Sequence, residues 1–157
     1  MKTLRRRRKE AKTDYKARLN LLKSNKPRLV IRKTNRYIIA QIVESNLAQD
    51  KVIADFSSQD LLEKGWPKEK AGSLKSLQAA YLTGFGLVKK MKSHQKEMIL
   101  DIGLNAKVKG SRIFAALKGA VEAGLKINHT KEIFPTEERL NSNKNLKGLI
   151  EKIKEKL

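Results

Sequence analysis

Thirteen of the chain's twenty net positive charges fall in its first 36 residues, where 15 Lys and Arg stand against only Glu10 and Asp14. Like charge at that density opposes a compact free state, because the segment has too few apolar residues to offset the repulsion. Residues 37–157 carry 21 basic and 14 acidic side chains, an ordinary balance for a soluble domain. The chain therefore divides into a basic handle and a part able to build a core, and the polarity points to a polyanionic partner.

The remaining composition bounds the alternatives. A chain of 157 residues, 39% hydrophobic, supports one domain with extensions. It has no cysteine, and its two histidines, His94 and His129, stand 35 positions apart with no carboxylate pattern nearby, so no metal or other cofactor is expected. No apolar stretch approaches a membrane span or a secretory signal, so the expected setting is cytoplasmic, without a membrane partner.

Residues 1–12 read as disordered until bound. Residues 13–22 read as a short helix capped by Thr13 or Asp14 and stopped by Pro27. Three stretches rich in Val and Ile, at 28–33, 37–44 and 51–56, then predict an antiparallel meander. In the first of these, Leu29 and Ile31 share one face and Arg28, Val30 and Arg32 the other, so one sheet surface should be basic. Leu74, Leu77, Tyr81, Phe85, Val88 and Met91 recur at helical spacing within residues 73–92. Gly84 and Gly86 interrupt that stripe, which implies a second backbone passing close by. The apolar run 98–102 predicts a central strand, covered on both faces and parallel to a meander strand. A second helix should start at Ser111 and end at Gly124, and Leu146, Leu149, Ile150, Ile153 and Leu157 mark a tail helix. The order of three strands, helix, strand, helix is that of an α/β layer fold.

Several constellations carry possible chemistry. The arm runs without a break into the cations of the first strand and of the turn at Arg36, coupling a flexible segment to a rigid platform. Tyr15 and Tyr37 lie beside that charge, where aromatic rings could stack on unpaired bases, although simple packing is the favoured reading of Tyr37 and explains Tyr15 equally well. Trp66, between Gly65 and Pro67, reads as a loop anchor over the core. Lys107, Lys109 and Arg112 surround Gly110 and a helix start, a second place for a phosphate. The spacing there is not that of a nucleotide-binding loop. A magnesium nuclease would need acids such as Glu44, Asp55 and Asp101 gathered around two ions. They do not form a convincing set, and Asp101, inside an apolar run, reads as a buried group bonded to a neighbouring turn. A nonspecific DNA-coating protein is the other alternative.

Blocks spread through the chain carry a resemblance. They include Arg5-Arg6-Arg7-Arg8 followed by Lys12-Thr13-Asp14-Tyr15 and Arg18-Leu19, then Lys26-Pro27-Arg28-Leu29-Val30-Ile31-Arg32. They continue through Ala79-Ala80-Tyr81-Leu82-Thr83-Gly84, Leu100-Asp101-Ile102-Gly103-Leu104, Gly110-Ser111-Arg112-Ile113-Phe114-Ala115-Ala116-Leu117-Lys118-Gly119 and Ala123-Gly124-Leu125. In this order they resemble the archaeal and eukaryotic branch of the ribosomal protein L-eighteen family, the large-subunit protein that binds 5S rRNA.

The resemblance implies a ribonuclease-H-like core without a nuclease site, and a noncatalytic role. The implied partners are 5S rRNA, large-subunit rRNA and neighbouring large-subunit ribosomal proteins of the central protuberance. Carried onto this chain, it marks Arg5, Arg6, Arg7, Arg8, Lys9, Lys12, Tyr15, Arg18, Lys23, Arg28, Arg32, Lys33 and Arg36 as RNA-binding, with Lys107, Lys109 and Arg112 as a second group. The expected division is an RNA-binding arm with a short helix at 1–27, an α/β core at 28–129 and an extension at 130–157, whose tail helix should cover the core.

Overall fold

The computed structural model of the 157-residue chain describes residues 6–10, 12–46, 49–91, 97–142, 146 and 148–157. A four-stranded sheet in the order β3-β2-β1-β4 forms its centre, with β1 at Arg28–Lys33, β2 at Ile38–Asn46, β3 at Gln49–Ser57 and β4 at Ile99–Asp101. The first three strands form the antiparallel meander, and β4 pairs parallel to β1, setting Val30 opposite Asp101. Mixed strand directions and helices on the sheet make this an α/β fold, as expected.

Two helices cover one face: α3 at Leu77–Lys90 packs on β2 and β3, and α4 at Arg112–Glu122 lies against α3 and β1. The face they bury is the one whose alternation was legible, with Leu29, Ile31, Ile38, Ala40, Ile42 and Phe56 all at most 5% exposed. Each large apolar side chain buried there contributes about 1.5–3 kcal/mol. Trp66, 2% exposed, anchors the intervening loop and donates its indole N–H to the Lys70 carbonyl at 3.1 Å.

The two helices meet backbone to backbone. A Cβ built on Gly84 would stand 1.8 Å from the Ala116 carbonyl oxygen, and one on Gly119 would stand 2.0 Å from that of Tyr81. Gly86 instead makes room for the Phe56 ring, 2.8 Å from its missing Cβ. The close approach inferred from the glycines is real at Gly84, and its other half is Gly119.

Several boundaries differ from the sequence expectation. α3 begins at Leu77 rather than near Ser73, because the Ser76 side chain caps it by accepting from the Ala79 amide, and residues 68–73 form a separate 3₁₀ segment. β4 is an edge strand of three residues, not a central one. Its Ile99 and Leu100 are half-buried and line a cleft rather than being covered on both faces, while Met98, just ahead of the strand, forms a parallel bridge with Ile127 and donates its amide to the Lys126 carbonyl at 2.9 Å. In the arm, Arg6–Lys9 form one helical turn, α1, where no regular structure was expected. Glu10 offsets part of the repulsion there, with its carboxylate 3.5 Å from Arg6 and 2.8 Å from Lys12. The next helix, α2 at Tyr15–Lys23, is capped by Asp14 and ends at Ser24, before a left-handed Asn25, so it stops ahead of Pro27.

The tail also belongs to the folded body. Helices α5 at Glu137–Asn141 and α6 at Leu149–Lys154 follow α4, and Leu140, Leu146 and Ile153 are each at most 6% exposed within the main core. The regular helix is shorter than the 146–157 stripe. Glu122 fastens its end: the Tyr81 hydroxyl donates to that carboxylate, and Lys154 Nζ lies 3.6 Å from it and 4.7 Å from the Tyr81 ring centroid. Burial, then the Glu122 carboxylate, push the Tyr81 phenol above its usual range.

Candidate nucleic-acid interface

The sheet face opposite α3 and α4 carries the charged side chains of β1 and β4, because the period of two that sends Leu29 and Ile31 into the core sends Arg28 and Arg32 outward with Asp101 of β4. These groups do not form a uniformly basic surface. They form a ladder of alternating charge: Arg18 of α2 donates to Asp50 at 2.7 Å, and Arg28 donates to Asp50 at 2.9 Å and to Asp101 at 3.0 Å. Arg32 then donates to the other Asp101 oxygen at 2.8 Å. Asp101 Oδ1 also accepts the Gly103 amide at 2.9 Å, the turn bond expected for a buried aspartate.

This ladder revises the place of Arg28. Its side chain is only 3% exposed and is committed to Asp101, Asp50 and Ser45, so no donor face is left toward solvent for a phosphate. The sequence could mark the cation but not the two acids that neutralise it, which lie 22 and 73 positions away. Partial burial alone would raise the Asp50 carboxyl. Hydrogen bonds from Ser45 and Arg18 and the charge of Arg28 overcome that and hold it at about 2, so the rung joining α2 to the sheet stays charged far below neutral pH.

The other marked residues fall into groups. Arg5 lies outside the described residues. Arg6, Arg7, Arg8 and Lys9 make up α1, where Arg6 and Lys9 are exposed. Lys12, ahead of α2, and Lys23, its last residue, are exposed, and its first residue, Tyr15, is half-buried. Lys33 and Arg36 are exposed at the β1–β2 turn, which Thr34 closes by accepting the Tyr37 amide at 2.8 Å. Tyr37 itself packs against the core, the bland alternative to base stacking.

Between α2 and the β4 end of the sheet lies a cleft of about 790 Å³, whose lining includes Lys12, Arg18, Arg32 and Lys107. The structure thus brings Lys107 of the second group beside the first. Lys109, 3.2 Å from Glu132, and Arg112, half-buried at the start of α4, do not line it. Asn20 and Asn105 do, and composition gave no reason to single out either.

A nuclease centre is incompatible with this geometry. Asp101, Val30, Gln41 and Asp55 lie on one cross-strand row, which puts the two acids three strand spacings of ~4.8 Å apart. Two catalytic ions would sit only about 3.5–4 Å apart. Asp101 already neutralises two guanidiniums, and among the described residues no group of three His, Asp or Glu is placed to hold a metal ion. No described helix is long and apolar enough to cross a membrane.

A family model described as "Ribosomal large subunit proteins 60S L5, and 50S L18" matches residues 1–98 and 87–130. The chain is similar to "Large ribosomal subunit protein uL18" of Korarchaeum cryptofilum, with 46% identity over 96% of this chain and 75% of that protein. Proteins of the same name from Methanospirillum hungatei and Methanothermobacter thermautotrophicus are 48% and 42% identical, over 85% and 86% of this chain and 75% and 69% of their own lengths. The chain belongs to this family of large-subunit ribosomal proteins, and its part is structural rather than catalytic.

Proposed function

We propose that this protein binds 5S rRNA and helps attach it to large-subunit rRNA in the central protuberance. The single observation that supports this reading is the joining of the two halves of the chain. An arm with nine net positive charges in residues 1–27 carries a helix that the Arg18–Asp50–Arg28–Asp101–Arg32 ladder fastens to the sheet. The exposed arm cations neutralise phosphates, which supplies affinity without reading sequence. The sheet fixes the direction in which the arm leaves the domain, so phosphate contacts are made in one orientation. Arg28 serves by holding the platform together, whereas Arg6, Lys9, Lys12, Lys23, Lys33 and Arg36 face the RNA.

The salt dependence of 5S rRNA binding tests the arm's part. Each phosphate contact contributes about 0.7–0.9 to the slope of log affinity against log salt. Replacing Arg5, Arg6, Arg7 and Arg8 together by alanine should flatten that slope by about 3. A filter-binding titration from 50 to 200 mM salt reads it, and a slope equal to that of the parent chain would remove the arm from the interface.

A further inference from the structure

The cleft between α2 and the β4 end of the sheet contains one unusually well-fixed group. Arg32 donates to the Ile31 carbonyl at 3.0 Å, the Asp101 carbonyl at 2.8 Å and the Asp101 carboxylate at 2.8 Å, so three of its five N–H groups are committed. Its guanidinium lies close to Gly103, whose φ of +60° and missing side chain allow the contact: a Cβ there would meet the guanidinium carbon at 3.0 Å. The side chain nevertheless remains 40% exposed. A delocalised cation held by three hydrogen bonds, in contact with a glycine and still partly exposed, is suited to stacking rather than to acting as a freely moving counterion.

The rest of the lining suits one kind of ligand. Ala17 on α2 contributes a small side chain to the lining. Asn20 stands on the helix wall, and Asn105 on the loop after β4, where its amide nitrogen donates to the Ile102 carbonyl at 2.8 Å and leaves one N–H and its own side-chain carbonyl oxygen. Lys12 and Lys107 supply positive charge on the same lining. At about 790 Å³ the cleft falls in the size range that encloses small organic groups and far exceeds what one phosphate needs.

We propose that this cleft receives a single unpaired RNA nucleotide, its base stacked on the Arg32 guanidinium, its edge met by Asn20 or Asn105 and its phosphate by Lys107 or Lys12. The inference rests on the RNA-binding reading above and deepens it: the arm supplies charge neutralisation, while this slot requires a base that is out of the helical stack.

The test is an abasic scan. Each unpaired nucleotide of 5S rRNA is replaced singly by an abasic residue, which keeps the backbone and its charge but removes the base. Binding is measured for the full chain and for two variants that fill the slot from exposed positions of α2, Ala17→Phe and Asn20→Trp, each first checked for an unchanged melting temperature. For the parent chain, one abasic position should weaken binding about tenfold or more, the loss of one stacked base. Intact 5S rRNA should bind the filled variants about tenfold more weakly, and that abasic position should then cost them nothing further.

No sensitive position in the parent, or a position equally sensitive in both filled variants, would overturn the slot while leaving salt-dependent 5S rRNA binding intact. Failure of the parent chain to bind 5S rRNA at all would overturn the slot together with the reading on which it rests.

Discussion

Asp101→Ala is expected to lower the stability of the protein by about 3–5 kcal/mol, the usual result of removing one partner from a buried ion pair. The reason lies in Arg28, which is 3% exposed and cannot shed its charge. Without Asp101 it keeps only Asp50 and Ser45, at the far end of its guanidinium. Arg32 loses its carboxylate at the same time, and the Gly103 amide loses its acceptor. Chemical denaturation of parent and variant measures the change. The double replacement Arg28→Met with Asp101→Leu should be less destabilising than Asp101→Ala alone, because it removes the stranded charge along with its partner. An unchanged midpoint for Asp101→Ala would mean that the ladder contributes nothing to the platform.

The second large effect belongs to the helix pair. Gly84→Ala should destabilise the fold by about 3 kcal/mol, the upper end of overpacking costs, because the new methyl group meets a backbone carbonyl that no rotamer change can move aside. α3 and α4 would have to separate, loosening Ala116, Leu117 and Ala120, which are at most 1% exposed. Gly72→Ala provides the contrast, since nothing lies within 4 Å of its added Cβ, and it should change stability by less than about 1 kcal/mol. Thermal unfolding of the two variants side by side distinguishes a steric contact from a general effect of losing a glycine. Equal melting temperatures for Gly84→Ala and the parent would refute the close packing.

The contrast between these two sites shows what a sequence can and cannot carry. Gly84 was legible because it interrupts an apolar stripe, and an interior glycine in a helix requires a local reason. Its counterpart Gly119 was not singled out as packing, because nothing in a linear pattern says which helix faces which. Leu29 and Ile31 revealed their burial through alternation. The same alternation placed Arg28 on the outer face but was silent about Asp50 and Asp101, whose positions beside it depend on the β2–β3 hairpin and on a parallel crossover. A charge count therefore marked Arg28 as available when its partners had already engaged it. The apolar run ending at Ile102 was read as a central strand because an unbroken apolar stretch does not show that only Met98 is buried against a segment outside the sheet while Ile99 and Leu100 lie half-buried at its edge. The slot beside Arg32 was invisible for a similar reason: Ala17 and Asn20 come from α2 and Asn105 from the loop after β4, and none is unusual where it stands.

The reading as a whole turns on whether the chain prefers one RNA. Labelled 5S rRNA bound to the full chain at 150 mM salt should resist displacement by an unrelated hairpin RNA of equal length and by duplex DNA of equal charge. About a hundredfold more of either competitor than of unlabelled 5S rRNA should be required. Displacement by all three at the same concentration would leave only a charged arm with no particular partner, and the proposed role would fall.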